Sequence, residues 1–151
     1  MIREYIPTDI EAVLDIWLTA SIKAHDFVAP EFWESQVGNM RDIYLPASKT
    51  YVFEVDGGVR GFYSLYEGIL AAIFVSPEYQ GSGIGKQLMQ HAKLECPTLS
   101  LSVYKENQAT IQFYLSQGFS IVSEQVDEHT GHQEYTMHLA LSLVNSQASI
   151  R

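Results

Sequence analysis

The order of apolar and polar positions divides this chain into short strands and amphipathic helices. Residues 1–6 read as a strand, and Thr8-Asp-Ile-Glu11 has the form of a capping box. Ile10, Val13, Leu14, Trp17, Leu18 and Ile22 then recur on one helical face. Pro30 opens a second helix, in which Trp33, Val37, Met40 and Tyr44 follow at spacings of three and four. Tyr51–Asp56 and Val59–Tyr66 alternate as strands around Asp56-Gly57-Gly58, a hairpin signal, and Gly68 separates the second of them from an apolar strand over 69–75. Ile84, Leu88, Met89 and Ala92 mark a helix over about 83–95, which Pro97 forbids to continue. A strand at 98–103, a helix at 107–117 and strands near 119–126 and 133–143 complete the pattern. The polar residues 144–151 are expected to fray. No linker, repeat or low-complexity stretch interrupts this order, so residues 1–151 read as a single domain.

The chemistry enters where strand 69–75 meets the helix after it. Val75-Ser-Pro-Glu-Tyr-Gln80-Gly-Ser-Gly-Ile-Gly85-Lys86 places a proline-marked turn and three glycines at alternate positions just ahead of that helix. Gly81, Gly83 and Gly85 allow backbone conformations and approaches that a Cβ would block. The amides of such a turn form a concave set of donors with the positive end of a helix behind them, an arrangement that binds phosphate. A dinucleotide fingerprint would read GxGxxG, whereas these glycines read GxGxG. A P-loop would need GxxxxGK[ST]; Gly85-Lys86 fits its end, but Gln80 and Gln87 fail at the first and last positions. The expected ligand therefore bears a pyrophosphate without being held in either of those two ways.

Gln80-Gly81-Ser82-Gly83-Ile84-Gly85 resembles the Q/R-x-x-G-x-G/A acyl-CoA signature of the GNAT superfamily of N-acetyltransferases at every fixed position. A second stretch, Asn107-Gln-Ala109-Thr-Ile-Gln-Phe113-Tyr114-Leu-Ser-Gln-Gly118-Phe119, is similar to the other GNAT signature, N-x-x-A-x-x-[FL]-Y-x-x-x-G-F, in slightly compressed form. Read from the residues alone, Asn107 is a good N-cap and Gly118 a good C-terminal stop for a short helix. Two signatures in the right order are far more specific than one, and the resemblance extends over residues 1 to about 143. It implies an α/β fold of the α+β type: a mixed, mostly antiparallel sheet of about seven strands with about four helices on both faces.

Composition narrows the setting further. Hydrophobic residues make up 46% of 151, enough for a folded core. The only cysteine is Cys96, which excludes a disulfide within the chain. No segment reaches 18 uninterrupted apolar residues and the first residues lack a signal-peptide apolar region, so a cytoplasmic protein without membrane association is expected. A net charge of −9 argues against nucleic acid as a partner and suits a cationic or amine acceptor.

The resemblance also assigns roles. In GNAT enzymes two central strands splay and the pantetheine arm lies between them, which implies acetyl-CoA as co-substrate, paired to backbone near Phe74 and Val75. The amides of Gly81, Ser82, Gly83, Ile84, Gly85 and Lys86 would hold the pyrophosphate, with Gln80 ahead of them and Asn107 reaching in from the strand–helix junction. For the Lys86 side chain a phosphate contact and a solvated helix position are both open. Tyr114 matches the tyrosine that gives its proton to the departing thiolate. A phenol of pKa about 10 can do this without being ionised at neutral pH.

The general base stays open in the sequence. The strand position that carries a glutamate in some relatives is Ile69 here; Glu67, two residues earlier, is one candidate. His25 is another. It lies in Ala24-His25-Asp26-Phe27 between the first two helices, a segment that closes over the acceptor in GNAT folds and resembles a subgroup of small bacterial single-domain members. A relay through water is the third. His91 is expected to be solvated on the glycine helix. His129 and His132 flank a turn at Thr130-Gly131, with a spacing that matches no common zinc pattern, and no metal is expected.

His25, Asp26, Phe27, Trp33 and Tyr104 are the expected substrate-side residues, next to the 126–134 hairpin. The acceptor stays open among small amines, amino acids, antibiotics, and protein lysines or N-terminal amines, and the assembly between monomer and homodimer. Two functions are carried forward. One is an acetyl-CoA-dependent N-acetyltransferase acting by direct attack of a primary amine in a ternary complex; the other is a non-catalytic acyl-CoA-binding sensor or docking module. Tyr114 favours the first, because binding alone would not need its hydroxyl.

Overall fold

Two tight turns and one crossover build the centre of the sheet. Asp56 and Gly57 both take positive φ, 51° and 80°, and so do Glu67 and Gly68, 48° and 79°. Such pairs twist with the flanking strands and close two-residue hairpins, here joining β2 (Lys49–Val55) to β3 (Gly58–Tyr66) and β3 to β4 (Ile69–Val75). From β4 the chain crosses over through a helix to β5 (Thr98–Tyr104), which lies parallel to β4. With β1 (Ile2–Glu4), β6 (Ser120–Val126) and β7 (Gln133–Ala140) the order across the seven-stranded sheet is β1-β2-β3-β4-β5-β7-β6. Every neighbouring pair except β4–β5 is antiparallel. The structure, a computed structural model, describes residues 1–140; the expected end of the last strand at 143 and the expected frayed tail, 144–151, lie outside the described residues.

Alternation along the strands sends side chains to two cores. Val52, Phe62 and Phe74 face α1 (Ile10–Ala24) and α2 (Pro30–Asn39), packing with Val13, Leu14, Ile16 and Met40. Tyr51, Phe53, Tyr63, Ile73 and Val75 face the opposite way, toward α4 (Ile84–Glu95) and α5 (Gln108–Ser116), against Leu88, Met89, Ile111 and Tyr114. Leu88 is fully buried; its replacement by alanine removes about 2–5 kcal/mol of stability, the usual cost of a core cavity. Helices on both faces of a mixed sheet match the fold that the sequence implies.

Three local expectations are corrected. The capping box at Thr8–Glu11 does not form. Asp9 instead ends a 3-10 turn over Pro7–Asp9, its carboxylate accepting the Ile6 amide at 2.9 Å and a two-pronged contact from the Arg3 guanidinium at 2.8 and 3.0 Å. A buried carboxylate with an arginine within reach satisfies more of its lone pairs there than at a helix terminus. The second helix does not run on as an α-helix: Met40–Tyr44 forms a π turn, followed by one α turn, α3 (Leu45–Ala47). Met40 and Leu45 are both buried, and a spacing of five falls on one face only in a wider turn. His91 is half-buried rather than solvated, and its Nδ1 shares a 2.5 Å hydrogen bond with the hydroxyl of the fully buried Tyr63. That partner, 28 positions away in sequence, is invisible to helical periodicity.

Candidate active site

Ile69 and Ser100 are the only aligned pair between β4 and β5. The strands part beyond it and open a cleft of about 910 Å³, floored by Leu70 to Val75 and walled on the other side by Ser102, Val103 and Tyr104. The edge of β4 that faces β5 is left without a strand partner past Ile69, so its peptide groups can pair with an extended ligand.

One end of the cleft is the glycine turn. Gly81 and Gly83 take φ of 82° and 88°, left-handed values that a side chain would strain, and an added Cβ at either would meet nothing within 4 Å. Gly83 is the N-cap of α4, and the amide of Gln87 is the first to reach back to its carbonyl, at 3.1 Å. The amides of Ile84, Gly85 and Lys86 therefore have no helical acceptor. Gln80 faces back, giving its side-chain amide to Val75 O at 3.1 Å and accepting Lys23 Nζ at 3.0 Å. Lys23 and Lys86 are the two lysines on the cleft wall. Lys23 was not singled out from sequence: it stands in the last turn of α1, 57 positions from Gln80, and no local pattern joins them.

Asn107 and Tyr114 line the middle. Asn107 occupies the N-cap position of α5, yet its side chain makes no cap hydrogen bond, so its amide is spared for the cleft. Tyr114 is buried, packed by Phe113 and Phe119 with ring centroids 5.7 and 5.6 Å away, and burial pushes its phenol well above the ordinary value of 10. Gly118 ends α5 with a φ of 99°. Phe74 and Val75 fall on opposite faces of β4, each half-buried against one of the two cores, and both line the cleft.

The other end is aromatic. The His25 ring lies 4.9 Å from Trp33 and 5.1 Å from Tyr104, and Phe27 lies 5.5 Å from Tyr104 and 5.0 Å from His132. Four of the five expected substrate-side residues thus meet in one cluster. The fifth, Asp26, is exposed and lines no cavity with them. His25 is held neutral: burial lowers its pKa to about 4, with the Ser21 backbone opposing. Its Nδ1, Trp33 Nε1 and Ser21 Oγ are buried without a hydrogen-bond partner among the described residues, an arrangement that costs stability unless a ligand or water meets it. Glu67 is not brought in. It sits exposed in the β3–β4 turn, away from the cleft lining. Glu134 does line the cleft, opposite Tyr104 across the β5–β7 ladder, and accepts Gln125 Nε2 at 2.9 Å. Only strand register reveals that placement.

Among the described residues no group of three or more His, Cys, Asp or Glu side chains could hold a metal ion, and no helix is long and apolar enough to cross a membrane. The unsatisfied amides of the turn, the two lysines and the open edge of β4 fit a ligand with a pyrophosphate at one end and an extended amide-bearing arm.

The family model described as acetyltransferase (GNAT) domain matches residues 46–121. The chain is 42% identical over 123 residues to peptidyl-lysine N-acetyltransferase YiaC of Escherichia coli (strain K12), covering 81% of this chain and 84% of that one. It is 27% identical to peptidyl-lysine N-acetyltransferase YjaB of the same strain, over 86% of this chain and 88% of that protein. Among solved structures, the apo-form of YjaB from Escherichia coli superposes with a TM-score of 0.81 at 25% identity, covering 92% of this chain and 96% of that one. The structure of yncA from Salmonella typhimurium with its cofactor acetyl-CoA shares the fold, with a TM-score of 0.64 at 19% identity over 93% of each chain.

Proposed function

The chain belongs to the GNAT acetyltransferase family and is an N-acetyltransferase, and from that premise we propose that its cleft takes acetyl-CoA and transfers the acetyl group to a primary amine, with peptidyl-lysine as the acceptor class. The observation that carries this reading is the presence of a buried phenol, Tyr114, in the same cleft as the amide-rich turn at Gly81–Lys86. Bound there, acetyl-CoA supplies an electrophilic thioester and a thiol leaving group. The free amides of Ile84 to Lys86, with Lys23 and Lys86, hold the pyrophosphate. The backbone of β4 near Phe74 and Val75 pairs with the pantetheine arm, and the spared Asn107 amide orients it.

Tyr114 keeps its proton through neutral pH, because burial raises its pKa, and gives it to the sulfur as the amine attacks directly in a ternary complex. His25 at a pKa of about 4 is a poor acceptor of an amine proton, and Glu67 lies outside the cleft, so that proton leaves through water. His25 serves instead as part of the aromatic wall with Phe27, Trp33 and Tyr104. Both curated relatives named above carry peptidyl-lysine in their names, which supports that acceptor class.

Calorimetric titration tests this reading, with ATP and magnesium as the control. Acetyl-CoA binds the wild type and not Gly83→Glu, which adds strain and a carboxylate at the phosphate turn, while ATP does not bind. Absence of acetyl-CoA binding to the wild type overturns the reading.

A further inference from the structure

Beyond the aromatic cluster the cleft opens into a second cavity of about 540 Å³. The two cavities share Trp17, Trp33, Ala71, Ala72 and Tyr104, so a group seated in the second reaches the first past the Tyr104 ring. The outer wall of the second cavity comes from the π turn, with Met40, Ile43 and Tyr44, and from Tyr66 on β3. These walls are apolar and aromatic. No lysine or arginine lines the cavity, and Asp127 is its single carboxylate.

The setting of Asp127 distinguishes it from a solvated surface acid. Its Oδ2 accepts hydrogen bonds from the Tyr104 hydroxyl and from Thr130 Oγ1 at 3.1 Å, and its Oδ1 accepts the His129 amide at 3.1 Å. Burial alone would raise its pKa, but these donors, together with the nearby His129 side chain, outweigh burial and hold it below the usual carboxylate range. The donors are neutral, no Lys or Arg among the described residues forms an ion pair with it, and the one cationisable group acting on it is the His129 side chain in the same cavity. A carboxylate has about four lone-pair sites, of which three are used. The chain thus maintains an oriented, ionised carboxylate with one lone-pair site unused and no lysine or arginine beside it, at the end of an apolar passage. That is a site for a cation on an apolar stem.

We propose that the second cavity receives the side chain of a peptidyl-lysine acceptor, with the four-carbon stem against Trp33, Tyr44 and Tyr104 and the ammonium group drawn in by Asp127. This rests on the transfer reading of the main cleft and adds the residue that selects the acceptor. Asp127 is a specificity determinant and takes no part in the chemical step: it draws the protonated amine into the second cavity, and the amine leaves it for the main cleft, past the Tyr104 ring, and gives up a proton to water before it attacks. A peptide N-terminal α-amine has no apolar stem and brings a polar peptide group where the aromatic walls lie, so it is the disfavoured amine.

The test uses two synthetic peptides of otherwise equal sequence. One has a blocked N-terminus and a single lysine; the other has a free N-terminus and no lysine. The wild type acetylates the lysine peptide with a kcat/KM at least about tenfold the higher, the discrimination expected of one charge-assisted contact. Asp127→Asn keeps the side chain's shape and oxygen but not its charge, and lowers kcat/KM for the lysine peptide by about tenfold or more through KM. Equal use of the two peptides by the wild type overturns the proposal even if the variant does not fold, and so does an unchanged KM in a folded Asp127→Asn. Titration of the same wild-type sample with acetyl-CoA separates the two readings: no binding removes the transfer reading and this one with it, whereas binding with no preference for lysine removes only the role of Asp127.

Discussion

Ile69 on β4 pairs with Ser100 on β5, and past that point the two strands make no second pair. Every other neighbouring pair is joined over three or more residues, so this is the one gap inside the described sheet where a ligand can take the position of a strand. Leu70 at the root of the opening is buried, whereas Ala71 to Val75 are exposed or half-exposed along it. The small side chains of Ala71 and Ala72 leave room at the junction of the two cavities. The glycine turn lies at one end of the opening and the aromatic cluster at the other, and on the proposed function acetyl-CoA and amine approach each other from these two ends.

Tyr114 predicts the shape of the pH profile. Burial raises its pKa above the ordinary value of about 10, so the acid is not lost as pH rises through neutrality. The kcat/KM profile of the wild type should climb with pH as the amine deprotonates, and should show no descending limb below about pH 10. A descending limb between pH 7 and 9 would assign the acid to another group.

Lys23 predicts a salt-sensitive contribution to cofactor binding. It is exposed, and an exposed charge contact is worth about 0.5–1 kcal/mol, so Lys23→Ala should weaken acetyl-CoA about two- to fivefold at low salt and less at high salt. Titration at two ionic strengths measures this. Equal affinities in variant and wild type at low salt would place Lys23 outside the phosphate site.

His25 predicts a stability change on mild acidification. Its folded pKa of about 4 lies below the unfolded value of about 6.5. Between those values the unfolded chain binds a proton that the folded chain does not, so this contribution is complete above about pH 6.5 and is lost as pH falls toward 4. It amounts to on the order of 3 kcal/mol. Urea unfolding at pH 7.5 and 5 should show the loss in the wild type and a flatter response in His25→Phe.

Asp9 acts in a lower window. The Arg3 guanidinium holds its carboxyl below the usual range, so the stability it brings is present above the unfolded pKa of about 3.9 and is lost as pH falls through the folded value. Asp9→Asn should cost about 1–3 kcal/mol at pH 7, an amount reduced by the partial exposure of Arg3, and little at pH 2. Thermal melts at the two pH values check the difference.

Much of this was legible in the sequence where one short segment carries the signal. Gly57, Gly68, Gly81 and Gly83 announce their turns because few other residues tolerate their positive φ, and the alternation of Val52 and Phe53 or Phe62 and Tyr63 foretells two cores. His25, Phe27, Trp33 and Tyr104, named together from the sequence, do meet in one cluster. What stayed hidden depends on pairing between distant segments. Lys23 meets Gln80 from 57 positions away, Glu134 faces Tyr104 through strand register, and Asp127 gains its meaning from the Tyr104 hydroxyl 23 positions away. His91 seemed solvated because its helix position gave no hint of Tyr63, and Thr8–Glu11 seemed a capping box because nothing local shows Arg3 competing for Asp9.

The most direct test is the rate of acetyl transfer to a lysine peptide at saturating acetyl-CoA, measured for the wild type and for Tyr114→Phe with acetyl-CoA affinity determined alongside. Loss of a general acid costs about 10²-fold or more. The account predicts a fall of that size with affinity nearly unchanged. An equal rate in the two proteins would contradict it and remove Tyr114 from the chemistry of the cleft.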